Sequence, residues 1–285
     1  MENAAEDTFF KMKKSINCNG TLLDFSTAKV MGILNLDPSS FYDGGMYKTE
    51  NEIIDRVSTM ISEGAAIIDL GAQSTRPKAT LIHAEEEWKR MESSLKKIRK
   101  EFPCIILSVD TFYADVAEKA VANGADIIND ISGGSMDSDM FPMIAKLKVP
   151  YVLMHIQGTP QTMQQNPQYE NVVNDEINYF ADRIQQILLL GVNDIIVDPG
   201  FGFGKTVEHN FELLHHLDLF KMLERPILAG LSRKSMVNKI LNIKAEDALN
   251  GTTVLNTIAL MKGANILRVH DVKEAVEAIK LVSCV

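Results

Sequence analysis

The sequence predicts an α/β protein: a (β/α)8 barrel, the TIM-barrel architecture, preceded by a short N-terminal β-hairpin. Three observations carry this expectation. Eight short apolar segments recur along the 285 residues, most of them closing on a polar side chain, as buried parallel strands do where they reach a ligand-binding end. An amphipathic stretch of helical length follows each segment. Four of these stretches finish just before a glycine that leads into the next apolar segment, at Gly64, Gly124, Gly191 and Gly263, and glycine is the residue favoured just past a helix end.

Residues 1–12 carry no apolar pattern and are expected to be disordered, which leaves 13–285 as one barrel domain. Asn19-Gly20 favours the tight primed turn of a hairpin and sets strands at 14–18 and 21–25. The barrel strands are expected at 30–35, 66–70, 104–110, 126–130, 151–155, 194–198, 226–229 and 265–269. The helices are expected at 50–63, 84–100, 114–123, 139–147, 172–190, 206–217, 247–261 and 272–281. Eight units in one series, with no linker and no shift in composition, favour a closed barrel over an open doubly wound sheet.

A hydrophobic content of 46% is ordinary for a globular chain with a real core. The net charge of −9 argues against a nucleic-acid surface, which needs clustered Lys and Arg. It leaves room for an anionic substrate, because a few local cations dominate a pocket. Cys18, Cys104 and Cys284 are widely separated and show neither metal-ligand spacing nor a disulfide framework. The N-terminus has no apolar core of a signal peptide, and no apolar run reaches the length of a membrane span. The expectation is a cytoplasmic protein with no membrane partner.

The most informative stretch runs from Ile195 to Lys205: three apolar residues, then Asp198-Pro-Gly-Phe-Gly-Phe-Gly, then Lys205. A buried strand there ends in a carboxylate. The glycines that follow let the backbone approach a flat ligand, and Phe201 and Phe203 offer stacking surface. In a barrel the strand tops converge on one mouth. Collected there are Asn35, Asp69, Asp110, Asn129, Asp130, His155, Asp198, Lys234, Arg268 and His270. Singly each is read as a cap or a turn residue. Together they suit a ligand with a donor–acceptor edge and a negatively charged tail. The carboxylates and amides take ring N–H and amino groups, Lys234 donates to a ring carbonyl or nitrogen, and Arg268 offers a stacking plane and N–H groups for phosphate. His270, two residues on from Arg268 in an extended segment, points to the same side.

Nine runs in order make the pattern specific: Met31-Gly-Ile-Leu-Asn35, Ser40-Phe-Tyr-Asp-Gly-Gly45, Ser74-Thr-Arg-Pro77, Ser108-Val-Asp-Thr111, Ile128-Asn-Asp-Ile131, Leu153-Met-His155, Asp198 to Lys205, Ser232-Arg-Lys-Ser235 and Arg268-Val-His-Asp271. From Lys13 onward the chain resembles the dihydropteroate synthase family of folate biosynthesis. The resemblance implies a transferase that condenses 6-hydroxymethyl-7,8-dihydropterin pyrophosphate with p-aminobenzoate. The products would be 7,8-dihydropteroate and pyrophosphate, formed by a dissociative, SN1-like path. It implies that Asp110, Asn129, Met154, Asp198, Gly230, Lys234 and Arg268 bind the pterin. Asn35, Arg268 and His270 would hold the pyrophosphate, with a magnesium ion through Asn35. Phe41, Thr75, Arg76, Pro77, Phe203, Ser232 and Lys234 would line the p-aminobenzoate side, and sulfonamide inhibitors are implied as partners. Catalytic roles are implied for Asp110, Asp198, Lys234, Arg268 and Asp43. A homodimer is the family expectation.

Three positions depart from the family pattern. Asn35-Leu-Asp-Pro-Ser-Ser40 stands for the usual Asn-Val-Thr-Pro-Asp-Ser, Gln73 for the usual Glu, and Lys78 for the usual Gly. In the first of these the acid has moved two positions, from after the proline to Asp37. Pro38 pushes Asp37 toward an extended conformation, so Asp37 is expected to take over the catalytic role of the missing acid. Two other readings share a pterin-binding barrel: a non-catalytic paralogue, and a corrinoid-linked methyltransferase. The methyltransferase has no use for Ser74-Thr-Arg-Pro77, and the run together with Ser232 and His270 favours the synthase over both.

Overall fold

The computed structural model describes residues 13–36, 49–73 and 80–285. Strands β1 (Ser15–Cys18) and β2 (Thr21–Asp24) pair antiparallel with Cys18 opposite Thr21. Asn19 and Gly20 form the turn, both at positive φ of 50° and 92°, the backbone that the primed turns require.

Eight parallel strands follow: β3 (Lys29–Asn35), β4 (Ile67–Gly71), β5 (Ile106–Asp110), β6 (Ile127–Asp130), β7 (Tyr151–Met154), β8 (Ile195–Asp198), β9 (Leu228–Ala229) and β10 (Ile266–Val269). Their order is β8-β7-β6-β5-β4-β3-β10-β9, and a parallel bridge between Val197 and Ile227 joins the two ends. The sheet thus curls into a TIM barrel. The last junction is thin for a local reason. Pro226 has no N–H to give, and the Ile227 N–H goes to the Asn265 side chain at 2.9 Å. The strand expected at 226–229 is therefore reduced to two regular residues.

Helices α1 (Glu50–Glu63), α2 (Ala84–Glu101), α3 (Ala114–Ala122), α4 (Met140–Leu147), α5 (Val172–Leu189) and α6 (Val207–His215) alternate with the strands up to β9. Helix α7 (Ser235–Leu241), α8 (Leu249–Met261) and α9 (Val272–Val282) complete the shell. Thr49 and Glu52 form a reciprocal capping box on α1, and Gly64 ends it at φ 106° with its N–H on the Ile61 carbonyl. Helix α7 was not expected. Seven residues placed directly after a catalytic-looking turn give too short a period to separate from loop. Helix α6 stops at His215, and a 3-10 turn, Leu217–Leu223, takes over. Among the described residues no helix is long and apolar enough to cross a membrane.

Strand alternation divides the apolar residues into two layers. Val30, Ile68, Leu107, Ile128, Leu153, Val197 and Leu267 face outward and pack under the helices. Inward, every strand gives one residue to a ring: Met31, Ile67, Ile106, Ile127, Val152, Ile196, Leu228 and Ile266. Ile16, Cys18, Leu23 and Phe25 of the hairpin pack on that ring. The hairpin is thus the plug of the barrel floor. Burying each such side chain stabilises the fold by about 1.5–3 kcal/mol.

Candidate active site

The same alternation sets the site. Two residues further along each strand from the floor ring stand Ile33, Asp69, Ser108, Asn129, Met154, Asp198, Gly230 and Arg268. The floor is apolar and the next layer is largely polar, so the barrel interior becomes a binding surface within two residues.

Arg268 lies at the centre. Its Nε donates to Asp69 Oδ2 and its Nη2 to Asp110 Oδ2, each at 2.7 Å. Asn129 Nδ2 donates to the same Asp69 oxygen at 3.1 Å, while Asp69 Oδ1 is buried without a hydrogen-bond partner among the described residues. Burial pushes the Asp110 carboxyl up to about 7, with Arg268 opposing the rise and the charge of Asp69 adding to it. The flanking carboxylates hold the Arg268 guanidinium well above its ordinary value.

Asp198 closes β8. It is buried, and its Oδ1 accepts from the Gly200 N–H at 2.7 Å. Burial raises its carboxyl, and the nearby Lys234 ammonium acts against that. Lys234 enters from the turn between β9 and α7. Arg233 before it sits at φ 55° and turns its fork away, onto Asp271 at 2.8 and 2.9 Å. This latch leaves Lys234 free to point inward, where Nζ donates to the Phe201 carbonyl and lies 4.7 Å from the centre of the Phe203 ring. Burial pulls the Lys234 ammonium down to about 7.

Met154 joins Phe112, Ile131, Ile156 and Met163 in a small apolar cluster, with Phe203 packed against it. At the rim Ser232 Oγ accepts from the His270 N–H at 3.3 Å. Asn35 Oδ1 stands 3.8 Å from where a Cβ on Gly71 would lie, so the amide sits over the strand carrying Asp69.

Of the expected site residues, Asp110, Asn129, Met154, Asp198, Gly230, Lys234 and Arg268 therefore meet in one place, with Asn35, Phe203, Ser232 and His270 around them. Asp37, Phe41, Asp43, Thr75, Arg76 and Pro77 lie outside the described residues. Gln73, one of the departures, accepts from the Ile82 N–H at 3.2 Å and so ties the start of that loop to its far end. Two strand-top residues face elsewhere. Asp130 takes the Tyr151 hydroxyl at 2.6 Å and the N–H groups of Ser132 and Gly134, which makes it a loop anchor outside the barrel. His155 packs between the sheet and α5. Asp69 belongs in the site and was not among the residues given a role. The signal was available: it lies two residues past Ile67, in phase with Asn129 and Asp198.

Three carboxylates, an amide and two cations set above an apolar barrel floor define a class of protein, one that grips a flat, N–H-rich heterocycle with an anionic tail. Comparison agrees. Residues 31–270 match the family model described as pterin binding enzyme. The dihydropteroate synthase of Escherichia coli (strain K12) is 42% identical over 265 residues, covering 92% of this chain and 93% of its own. The Yersinia pestis dihydropteroate synthase in its sulfonamide drug complex superposes with a TM-score of 0.92 at 39% identity, covering 95% of this chain and 98% of that one. The Xanthomonas albilineans dihydropteroate synthase with 4-aminobenzoic acid gives 0.88 at 35% identity, covering 95% and 97%. The chain belongs to the dihydropteroate synthase family of pterin-binding transferases.

Proposed function

We propose that the enzyme joins 6-hydroxymethyl-7,8-dihydropterin pyrophosphate to p-aminobenzoate, releasing 7,8-dihydropteroate and pyrophosphate by a dissociative, SN1-like displacement. The observation that carries this reading is the cluster in which Asp110, Asn129 and Asp198 stand with Lys234 and Arg268 above the apolar floor. Asp198 and Asp110 take the ring N–H and amino protons, Asn129 takes one more and gives one, and Lys234 donates to the ring carbonyl or nitrogen. Met154 and Gly230, whose missing side chain leaves its backbone beside the Lys234 ammonium, bound the flat face of the ring.

Arg268 already carries two carboxylates. A pterin that takes over Asp110 frees one side of the guanidinium for the ring face and for pyrophosphate oxygens, with His270 beside it. Asn35 offers a hard amide oxygen of the kind magnesium accepts when substrate phosphates and water supply the remaining ligands. When bound, that ion would neutralise charge on the phosphates. The bond from the pterin methylene to the pyrophosphate oxygen then breaks, and the leaving group departs with the electron pair. The carboxylate-rich layer stabilises the cation left behind, and fixed groups of this sort contribute roughly 3–4 kcal/mol each. The aryl amine nitrogen forms the new C–N bond and loses its proton to water. Its ring is placed against Phe203 and the Ser232–Lys234 turn, with Phe41, Thr75, Arg76 and Pro77 supplied by the two loops. Sulfonamides, as mimics of p-aminobenzoate, would compete there.

A homodimer is part of the same reading. On helix α8 Leu255 and Ala259 are buried inward, while Val254, Ile258 and Met261 are 50%, 37% and 68% exposed on one outer stripe. Such a stripe marks a contact surface.

The test is turnover. The protein with both substrates and magnesium is expected to form dihydropteroate, and Asp198→Asn, which turns a donor toward a ring N–H, is expected to weaken pterin binding about tenfold or more. Absence of dihydropteroate from the folded parent protein overturns the reading.

A further inference from the structure

Lys205 closes the glycine-rich loop after β8, and nothing in the reaction above uses it. It is 3% exposed, and its ammonium takes loop carbonyls other than the Phe201 carbonyl that Lys234 takes. Nζ lies 3.1 Å from the Gly200 carbonyl and 3.1 Å from the Phe203 carbonyl. It also lies 3.0 Å from Glu176 Oε1, on α5, and 3.0 Å from His155 Nδ1. A buried ammonium with this many acceptors orders whatever carries them.

The loop is ordered largely through its own backbone groups. Gly200, Gly202 and Gly204 sit at φ 68°, 83° and 64°, and a Cβ on Gly204 would meet the Gln157 carbonyl at 2.7 Å. Backbone therefore packs on backbone, and the carbonyls decide the loop's shape. Each has a partner. Phe201 takes Lys234, Gly202 takes Gln164, Gly204 takes Tyr169, and Gly200 and Phe203 take Lys205. The same loop supplies the N–H that orients Asp198 and carries the Phe203 ring that faces Lys234.

We propose that Lys205, held by Glu176, is a positioning residue for the aryl-amine side of the site, fixing the Gly200 and Phe203 carbonyls so that the Phe203 ring stands where the second substrate docks. This rests on the reading of Phe203 as part of that side. Burial lowers the Lys205 ammonium, and the Glu176 carboxylate opposes that. His155 is lowered by burial and by Lys205, and the Glu176 carboxylate, 3.2 Å from its Nδ1, opposes that.

A buried ion pair that merely holds the fold can be exchanged for a neutral pair at little cost. That separates the two roles. The double variant Lys205→Met with Glu176→Gln removes both charges, takes the side-chain donor from the Phe203 carbonyl and leaves the Gly200 carbonyl only the Phe203 N–H. It is expected to fold with a melting temperature lowered by the unpaired Phe203 carbonyl, and to bind the dihydropterin pyrophosphate within about threefold of the parent. Its KM for p-aminobenzoate is expected to rise about tenfold or more. A folded double variant with parent KM for p-aminobenzoate overturns the proposal. Should the double variant not fold, Glu176→Gln alone is read by hydrogen exchange at the Gly202 and Phe203 amides, which is expected to speed up about tenfold. Unchanged exchange there also overturns it. The exchange arm needs no substrate, so a parent protein that makes no dihydropteroate would defeat the functional reading and leave this measurement intact.

Discussion

Asp69→Asn tests the electrostatics of the pterin layer without changing its shape. Asp110 must be ionised to take two ring protons, and burial and neighbouring carboxylates have moved it up to about 7. Among those neighbours Asp69 is the charge bound to the same guanidinium. Removing it acts on Asp110 twice in one direction. A like charge disappears, and Arg268, released on its Nε side, gives more of its field to Asp110. Unit charges about 5 Å apart at an effective dielectric of about 20 interact by roughly 3 kcal/mol, and a third to a half of that moves a pKa by about one unit. The assay is kcat/KM for the pterin substrate from about pH 5.5 to 8.5, since that ratio reports ionisation of the free enzyme. The acid limb is expected to shift down by about one unit. Lys234, drawn down to about 7 by burial, with Arg268 and Lys205 adding to it, takes its opposing charge from Asp198, so any alkaline limb it causes stays in place as an internal control. An acid limb that stays put or moves up refutes the argument.

Two further expectations concern stability. Glu87 on α2 is fully buried, accepts from Thr111 Oγ1 at 2.8 Å, and is raised by burial from 4.5 to about 8. The folded state keeps a proton that the unfolded chain loses, so the stabilisation it brings is complete below about pH 4.5 and is lost as pH rises through about 8. Relative to Glu87→Gln, which does not titrate, the parent is expected to lose up to about 1.4 kcal/mol per pH unit across that window in urea melts; parallel curves would show that the carboxyl is ionised in the fold. Ile16→Ala in the floor plug is expected to cost about 2–5 kcal/mol of stability while leaving kcat/KM near the parent value at 25 °C. A loss of activity in the still-folded variant would mean that the floor shapes the site as well as supporting it.

The eight strands and most of the helices were legible because their signals are local. Apolar runs, glycine just past a helix end and Asn19-Gly20 each act over a few residues and each held. What was not legible depended on neighbours distant in sequence. The strand at 226–229 is shortened by a side chain from residue 265, and the hairpin could be read as a hairpin but not as a plug, because its partners are eight residues from eight strands. Asp69 and Asp130 looked alike as acids near strand ends. Phase separates them: Asp69 shares the inward phase of Ile67, whereas Asp130 follows the inward Asn129 and faces out.

Phase fails just where the strands stop, and the site's two least legible cations show why. Arg233 and Lys234 are adjacent and equally charged, and nothing in their order says which enters the barrel. The choice is made by one backbone torsion and one distant acid. Arg233 adopts φ 55°, which a bulky side chain takes only against a cost of about 1–2 kcal/mol, and its fork on Asp271, with the carbonyls of Ala245 and Glu246 at 2.8 Å, offsets that cost. The kink re-aims the next residue, and Lys234 reaches the Phe201 carbonyl across the pocket. There it meets the loop that Lys205 holds from behind. One cation is turned outward as a latch, one inward to the ligand, and one lies buried in the wall. The difference between them lies in their partners, Asp271, Asp198 and Glu176, each contributed by another part of the chain.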